Sequence, residues 1–194
     1  MSSNHQIRLA GIADNSLVNG PGLRKVFFSQ GCSHHCHNCF NPTTWTFNAG
    51  KYVDMDELIA TVKNETFLDG VTFSGGDPFQ QPEAFAYLGK QLHATKINIW
   101  IYTGYTWEQL LDLAKKDVNV KTMIENCDVI VDGRYMEEYM DDHLKYRGSA
   151  NQRIINVPES LKQNKLVLCH YDDVPRPKDS DEKQIRYWNE TRDK

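Results

Sequence analysis

The chain has 194 residues, 40 % of them hydrophobic, with 22 basic and 26 acidic side chains and a net charge of −4. That length suits one domain with a sizeable core and falls short of the roughly 250 residues of a closed eight-stranded β/α barrel. The charge gives no electrostatic grip on a nucleic-acid backbone. The polar start lacks a signal-peptide core, and no stretch nears the roughly 18 apolar residues of a membrane span. The expectation is a cytoplasmic protein that binds neither nucleic acid nor membrane.

In chain order, "RKVFFSQ" (24–30) opens a series of short apolar runs that read as buried strands. The others are "VTFS" (71–74), "INIWIY" (97–102), "DVIVD" (128–132) and "KLVLC" (165–169). Helical spacing of apolar residues fills the gaps among the first four, over 54–64, 82–94 and 106–116. Pro82 suits the first turn of the second helix, and Thr106 suits the N-cap of the third. The order β-α-β-α-β-α-β predicts right-handed crossovers and a parallel sheet. Ligands gather at the carboxyl ends of such strands. The unusual sequences sit there: the cysteine loop, "SGGDP", "TGY" and "DGR". The charged, Pro-interrupted tail, 171–194, reads as a loose appendage or a short terminal helix.

"GCSHHCHNCFNPTTW" (31–45) places Cys32, Cys36 and Cys39 in a C-x3-C-x2-C window beside His34, His35 and His37. The chain has five cysteines, and a disulfide scaffold would be shorter with an even count. Clustered thiols in a reducing compartment point to metal. Two readings compete. Four thiolates would close an electron-transfer [4Fe–4S] cluster, whereas three leave one iron open for chemistry. Alternatively, one of the histidines completes a Cys3His zinc site and the protein is a binding module without catalysis. Cys127 and Cys169 stand alone and read as buried, inert thiols.

The window as a whole resembles the signature of radical S-adenosylmethionine (SAM) enzymes, with Phe40 as the aromatic after the third cysteine. "NGPGLRKVFFSQGC" and "NPTTW" resemble activating enzymes of glycyl-radical proteins, and "TFSGGDPFQQP" resembles the superfamily's Gly-Gly-acidic motif. "WIYTGYTWEQL" and "DVIVDGRY…RGSANQRIINV" resemble the subgroup that activates the anaerobic (class III) ribonucleoside-triphosphate reductase. The match runs, with gaps, from about residue 7 to 157. Asn19-Gly20 stands where Asp-Gly is also common, and Asp77 replaces the more usual glutamate.

The resemblance implies a single-domain α/β fold of the incomplete parallel β/α barrel type over 1–170, with 171–194 appended. It implies one [4Fe–4S] cluster held by Cys32, Cys36 and Cys39, and SAM on the fourth iron. Reductive cleavage of SAM would give methionine and a 5′-deoxyadenosyl radical that takes hydrogen from a glycine of the reductase's large subunit. Reduced flavodoxin or a similar protein would donate the electron. An activator of another glycyl-radical protein, of the formate acetyltransferase type, is the nearest alternative enzyme.

Asn38, Cys39, Phe40, Gly75, Gly76, Asp77 and Thr103 are the expected cofactor contacts, the two glycines because a missing Cβ lets a ligand reach the backbone. For Phe40 loop packing is the competing reading, and for Thr103 a helix-capping turn. Asp132, Arg134, Arg147 and Asn151 are candidates for the mouth where the partner's glycine enters, against an ordinary solvated loop.

Overall fold

A computed structural model describes residues 5–191. Seven strands form one open sheet: β1 (Gln6–Ser16), β2 (Arg24–Ser29), β3 (Lys51–Asp54), β4 (Gly70–Gly75), β5 (Asn98–Tyr102), β6 (Val129–Asp132) and β7 (Arg153–Asn156). Their order is β3-β1-β2-β4-β5-β6-β7. The four central strands, β2-β4-β5-β6, run parallel. They are the first four strands read from the sequence. The flanking strands carry no comparable apolar run. β1 pairs antiparallel with both β2 and β3, and β7 closes the far edge antiparallel to β6. The fold is thus a mixed α/β sheet with a parallel centre.

Six α-helices follow in chain order among the described residues: α1 (Met55–Asn64), α2 (Pro82–His93), α3 (Trp107–Ala114), α4 (Val118–Glu125), α5 (Val157–Gln163) and α6 (Ser180–Thr191). Local chemistry fixes their starts. Asp54 accepts the amides of Asp56 and Glu57 at 2.9 and 3.1 Å to cap α1. Thr106 and Gln109 form a reciprocal capping box on α3. Pro82 occupies the first turn of α2, where its missing amide costs nothing.

Side chains alternate across the sheet with period two. Val71, Phe73, Ile99, Ile101, Ile130 and Ile155 face the helices and meet Leu58, Phe85, Leu88, Leu110 and Ile124 in the main core. The opposite residues, Trp100, Val129, Val131 and Ile154, form a smaller cluster with Tyr102, Tyr146 and Tyr171 on the inner face. No helix among the described residues is long and apolar enough to cross a membrane.

The fifth expected strand, 165–169, is reduced to one bridge between Leu168 and Ile155. Ser160 Oγ accepts the Val167 amide at 2.9 Å, and that withdraws the donor a continuing ladder would need. Beyond it the chain crosses the loop before β7. Asp172 pairs with Arg147 and accepts the Ile154 amide, and Arg176 donates to the Asn151 carbonyl. In α6, the Gln184 side chain accepts the Arg134 amide at 3.2 Å, and the Trp188 ring meets Tyr105 edge-on at 5.5 Å.

Candidate functional site

The cysteine loop leaves β2 and is tied off at its neck. The Gly31 amide donates to the Thr44 carbonyl at 2.8 Å, and Cys32 N to Trp45 O at 3.1 Å. Gln30 Nε2 reaches the Thr43 and Thr46 carbonyls. Inside the neck, His35 and Asn38 take left-handed backbone angles, φ 49° and 50°, and the Cys39 amide closes on the Cys36 carbonyl at 3.2 Å. Asparagine tolerates that conformation better than most residues. These two reversals turn the three thiols toward one cleft of about 140 Å³. Cys32, Cys36, Cys39 and Phe40 line it with Ser74, Gly75, Gly76, Tyr102, Thr103, Gly104, Gly133, Tyr135 and Gln152. Every central strand sends its carboxyl end there. Exposed Asn38 shapes the turn and does not line the cleft. Phe40, 65 % exposed, tilts against Tyr135 at 4.7 Å on the rim.

Gly75 and Gly76 line the cleft, but neighbouring backbone explains why they are glycines. A Cβ on Gly75 would stand 2.6 Å from the Ser29 amide nitrogen, and one on Gly76 2.4 Å from the Gly31 carbonyl. The strand end is thereby pressed against the root of the cysteine loop, where Gly76 N donates to Ser29 O at 2.8 Å and Asp77 N to Gly31 O at 2.9 Å. Gly76→Ala is expected to destabilise by about 1–3 kcal/mol, as overpacking does, and to lower the thermal midpoint by several degrees. An unchanged midpoint would show that the loop root yields.

Asp77 is fully buried, and both its oxygens are engaged within the protein. Oδ1 accepts the Phe79 amide at 2.9 Å. Oδ2 accepts Thr103 Oγ1 at 2.8 Å, the Gly104 amide at 2.9 Å and His34 Nε2 at 2.7 Å. The other two loop histidines also have contacts away from the thiols. His35 lies against Trp45, and His37 Nε2 is 3.5 Å from Glu137.

The loop from β6 to β7 is built of buried polar pairs. Asp132 is clasped by Arg153 and also accepts the Trp107 amide at 2.6 Å. Arg147 is sealed against Asp172 and donates to the Gln152 and Val174 carbonyls. Asn151 Nδ2 donates to the Arg134 carbonyl at 2.8 Å, and its Oδ1 has no partner. Arg134 is buried too, beside His35, Trp45, Tyr105 and Trp188 in a neighbouring pocket of about 810 Å³. The side chains of Asp132, Arg147 and Asn151 therefore hold this loop in shape rather than facing outward. Their other polar atoms find partners across the fold, while Asn151 Oδ1 and Arg147 Nε are left without one among the described residues.

Comparison with known proteins adds to this geometry. Residues 18–155 match the model of the 4Fe-4S single cluster domain. The anaerobic ribonucleoside-triphosphate reductase-activating protein of Vibrio cholerae is 36 % identical over 146 residues, which is 71 % of this chain and 90 % of that protein. The protein of the same description from Enterobacteria phage T4 is 35 % identical over 143 residues, 71 % of this chain and 86 % of that one. This chain belongs to their family. A crystal structure of QueE from Escherichia coli overlaps 54 % of this chain and 57 % of its own at 17 % identity, with a TM-score of 0.44.

Two of the three thiols, Cys32 and Cys36, sit in an environment that disfavours their charged form. Burial, with the Asp77 carboxylate nearby, pushes Cys32 up to about 12. Burial pushes Cys36 up to about 11, against the opposing pull of Arg134. A cationic iron centre is what turns such thiols into thiolates. The donor set therefore fits an iron–sulfur group: three sulfurs line one cleft, with Cys127 and Cys169 each packed into a different part of the core. Tyr102 and Tyr135 also line the cleft, and no sequence pattern marks them as site residues. Tyr102 and Tyr135 belong to strings that carried the resemblance, but nothing in those strings marks which residue turns inward.

Proposed function

We propose that this chain activates an anaerobic ribonucleoside-triphosphate reductase by generating a glycyl radical on its large subunit. Cys32, Cys36 and Cys39 would each hold one iron of a [4Fe–4S] cluster and leave the fourth iron to the amino and carboxylate groups of SAM. When bound, the pair supplies one electron to the sulfonium and a carbon radical that takes a hydrogen atom from the partner's glycine. The observation that carries this reading is the convergence of three thiols and four strand ends on one cleft.

The chain's own residues bind and exclude. The backbone of Gly75 and Gly76 and the edge of Thr103 border the place for the methionine end. Phe40, against Tyr135, shields the rim from water. Asn38 acts through the turn that orients Cys39 and Phe40. Asp77 acts through the residues it fastens. Arg134, which lines the neighbouring pocket, shapes with Asp132, Arg147 and Asn151 the wall past which the partner's glycine loop enters. The parallel centre with helices on one face supports an incomplete β/α barrel over 1–170, with 171–194 appended. Reduced flavodoxin or a similar protein in the cytoplasm suits the electron requirement.

The test is anaerobic reconstitution with iron and sulfide, then SAM, a strong reductant and the reductase. A brown protein that forms methionine, 5′-deoxyadenosine and a glycyl doublet on the reductase supports the reading. A colourless protein holding one zinc overturns it. A doublet only on a different glycyl-radical protein moves the assignment to that partner.

A further inference from the structure

We propose that His34 and Asp77 form a positioning clamp that sets the cysteine loop against the strand ends that would receive SAM; the proposal rests on the reading of the site above. His34 lies between two of the three proposed ligands, Cys32 and Cys36. Its Nε2 donates to Asp77 Oδ2 at 2.7 Å, and the two side chains are 3 % and 0 % exposed. The same oxygen accepts Thr103 Oγ1 and the Gly104 amide at the end of β5. The other oxygen caps the turn after β4 through the Phe79 amide. One carboxylate thus joins three of the segments that border the cleft.

Shape reinforces the bond. The His34 ring occupies the volume that a Cβ on Gly104 would need, 2.4 Å from its nearest ring carbon. Tyr105 meets the ring edge-on at 4.6 Å from the other side. The loop is therefore fixed at a point inside its span as well as at its neck. Its place relative to Gly75, Gly76 and Thr103 is set by protein contacts. A buried carboxylate with four donors has little freedom to reorient, because any donor released there would be left unpaired. Neither side chain needs to touch the cofactors. Both act through the backbone they hold, as outer partners do at metal sites.

The experiment compares His34→Phe, which fills the space without a donor, with His34→Gln, whose amide nitrogen reaches the position of Nε2. Amide hydrogen exchange is followed over residues 31–41 in the cluster-free protein. The Michaelis constant for SAM and the iron content are measured after reconstitution. His34→Phe is expected to speed exchange in the loop and to raise the SAM constant by about 10–100-fold at unchanged iron content. His34→Gln is expected to restore both. If His34→Phe does not fold or hold iron, Thr103→Val removes a different donor to the same oxygen from outside the loop, and faster exchange at 31–36 is again expected. Unchanged exchange and an unchanged SAM constant in the folded variants overturn the clamp, as does a Gln variant no better than Phe. Failure of the wild-type protein to cleave SAM overturns the functional reading instead, while the exchange comparison still decides the clamp.

Discussion

Cys36→Ala is expected to lose SAM cleavage by more than about a hundredfold while keeping its fold. The floor comes from metal sites in general, where removing an outer partner alone costs about 10–100-fold, so loss of a ligand must exceed it. The fold is expected to survive because Cys36 is only half-buried and its loop is held elsewhere, by the 31–44 and 32–45 backbone bonds and by His34 on Asp77. Removing one sulfur from such a place costs about 1 kcal/mol or less. Circular dichroism and a thermal melt report the fold, iron analysis the cluster, and 5′-deoxyadenosine release the chemistry. Full cleavage by the alanine variant would remove Cys36 from the cluster. Equal loss of cleavage and of folded structure would remove the argument that the loop is pinned independently of its ligands.

The parallel centre of the fold was legible because each of its strands is a continuous apolar run ending at a turn. β1 was hidden because only Ile7 and Leu9 alternate cleanly before Gly11, and its second half is mostly exposed. β7 has two apolar residues beside Arg153, whose charge looks like loop until Asp132 and Glu108 are seen around it. α4 is rich in β-branched residues, so its propensity is weak, although Val120, Met123 and Ile124 share one buried face behind the Asp117 cap.

The site shows the same division. Three thiols within eight residues announce themselves, and so does a double glycine after a strand. That double glycine also answers to a cause the sequence does not show: adjacent backbone leaves no room for a Cβ at either position. The bond between His34 and Asp77 spans 43 positions, and no local pattern signals it. Asp132, Arg147 and Asn151 show the general difficulty. A polar residue in a loop looks the same in sequence whether its partner is water or a buried group on another segment.

Arg24→Met is expected to destabilise the protein by about 3 kcal/mol or more. At the first position of β2, the side chain is 1 % exposed beneath the inner face, at the end of the sheet away from the cleft. Its Nε donates to Thr72 Oγ1 at 2.7 Å. One terminal nitrogen reaches Pro21 O and Asn98 Oδ1, and the other Val71 O and Asn98 O. The guanidinium also lies 5.6 Å from the Trp100 ring. Burial lowers its pKa to about 10 against the opposing pull of Tyr102, Asp128 and Asp69, and it stays charged at neutral pH. Methionine fills the volume but leaves several buried acceptors without donors at once, and each costs about 1–3 kcal/mol when unsatisfied. For a chain of this size, 3 kcal/mol corresponds to a fall of roughly 6–12 °C in the thermal midpoint. Arg24→Lys is expected to recover little, since a single ammonium cannot follow the planar fork to Thr72, Asn98 and Val71 together. A Lys variant as stable as the wild type would mean that charge alone, and not the five-way geometry, joins β2, β4 and β5 at this end. Cleavage activity in surviving folded protein should change little, because the cleft lies at the opposite ends of the same strands.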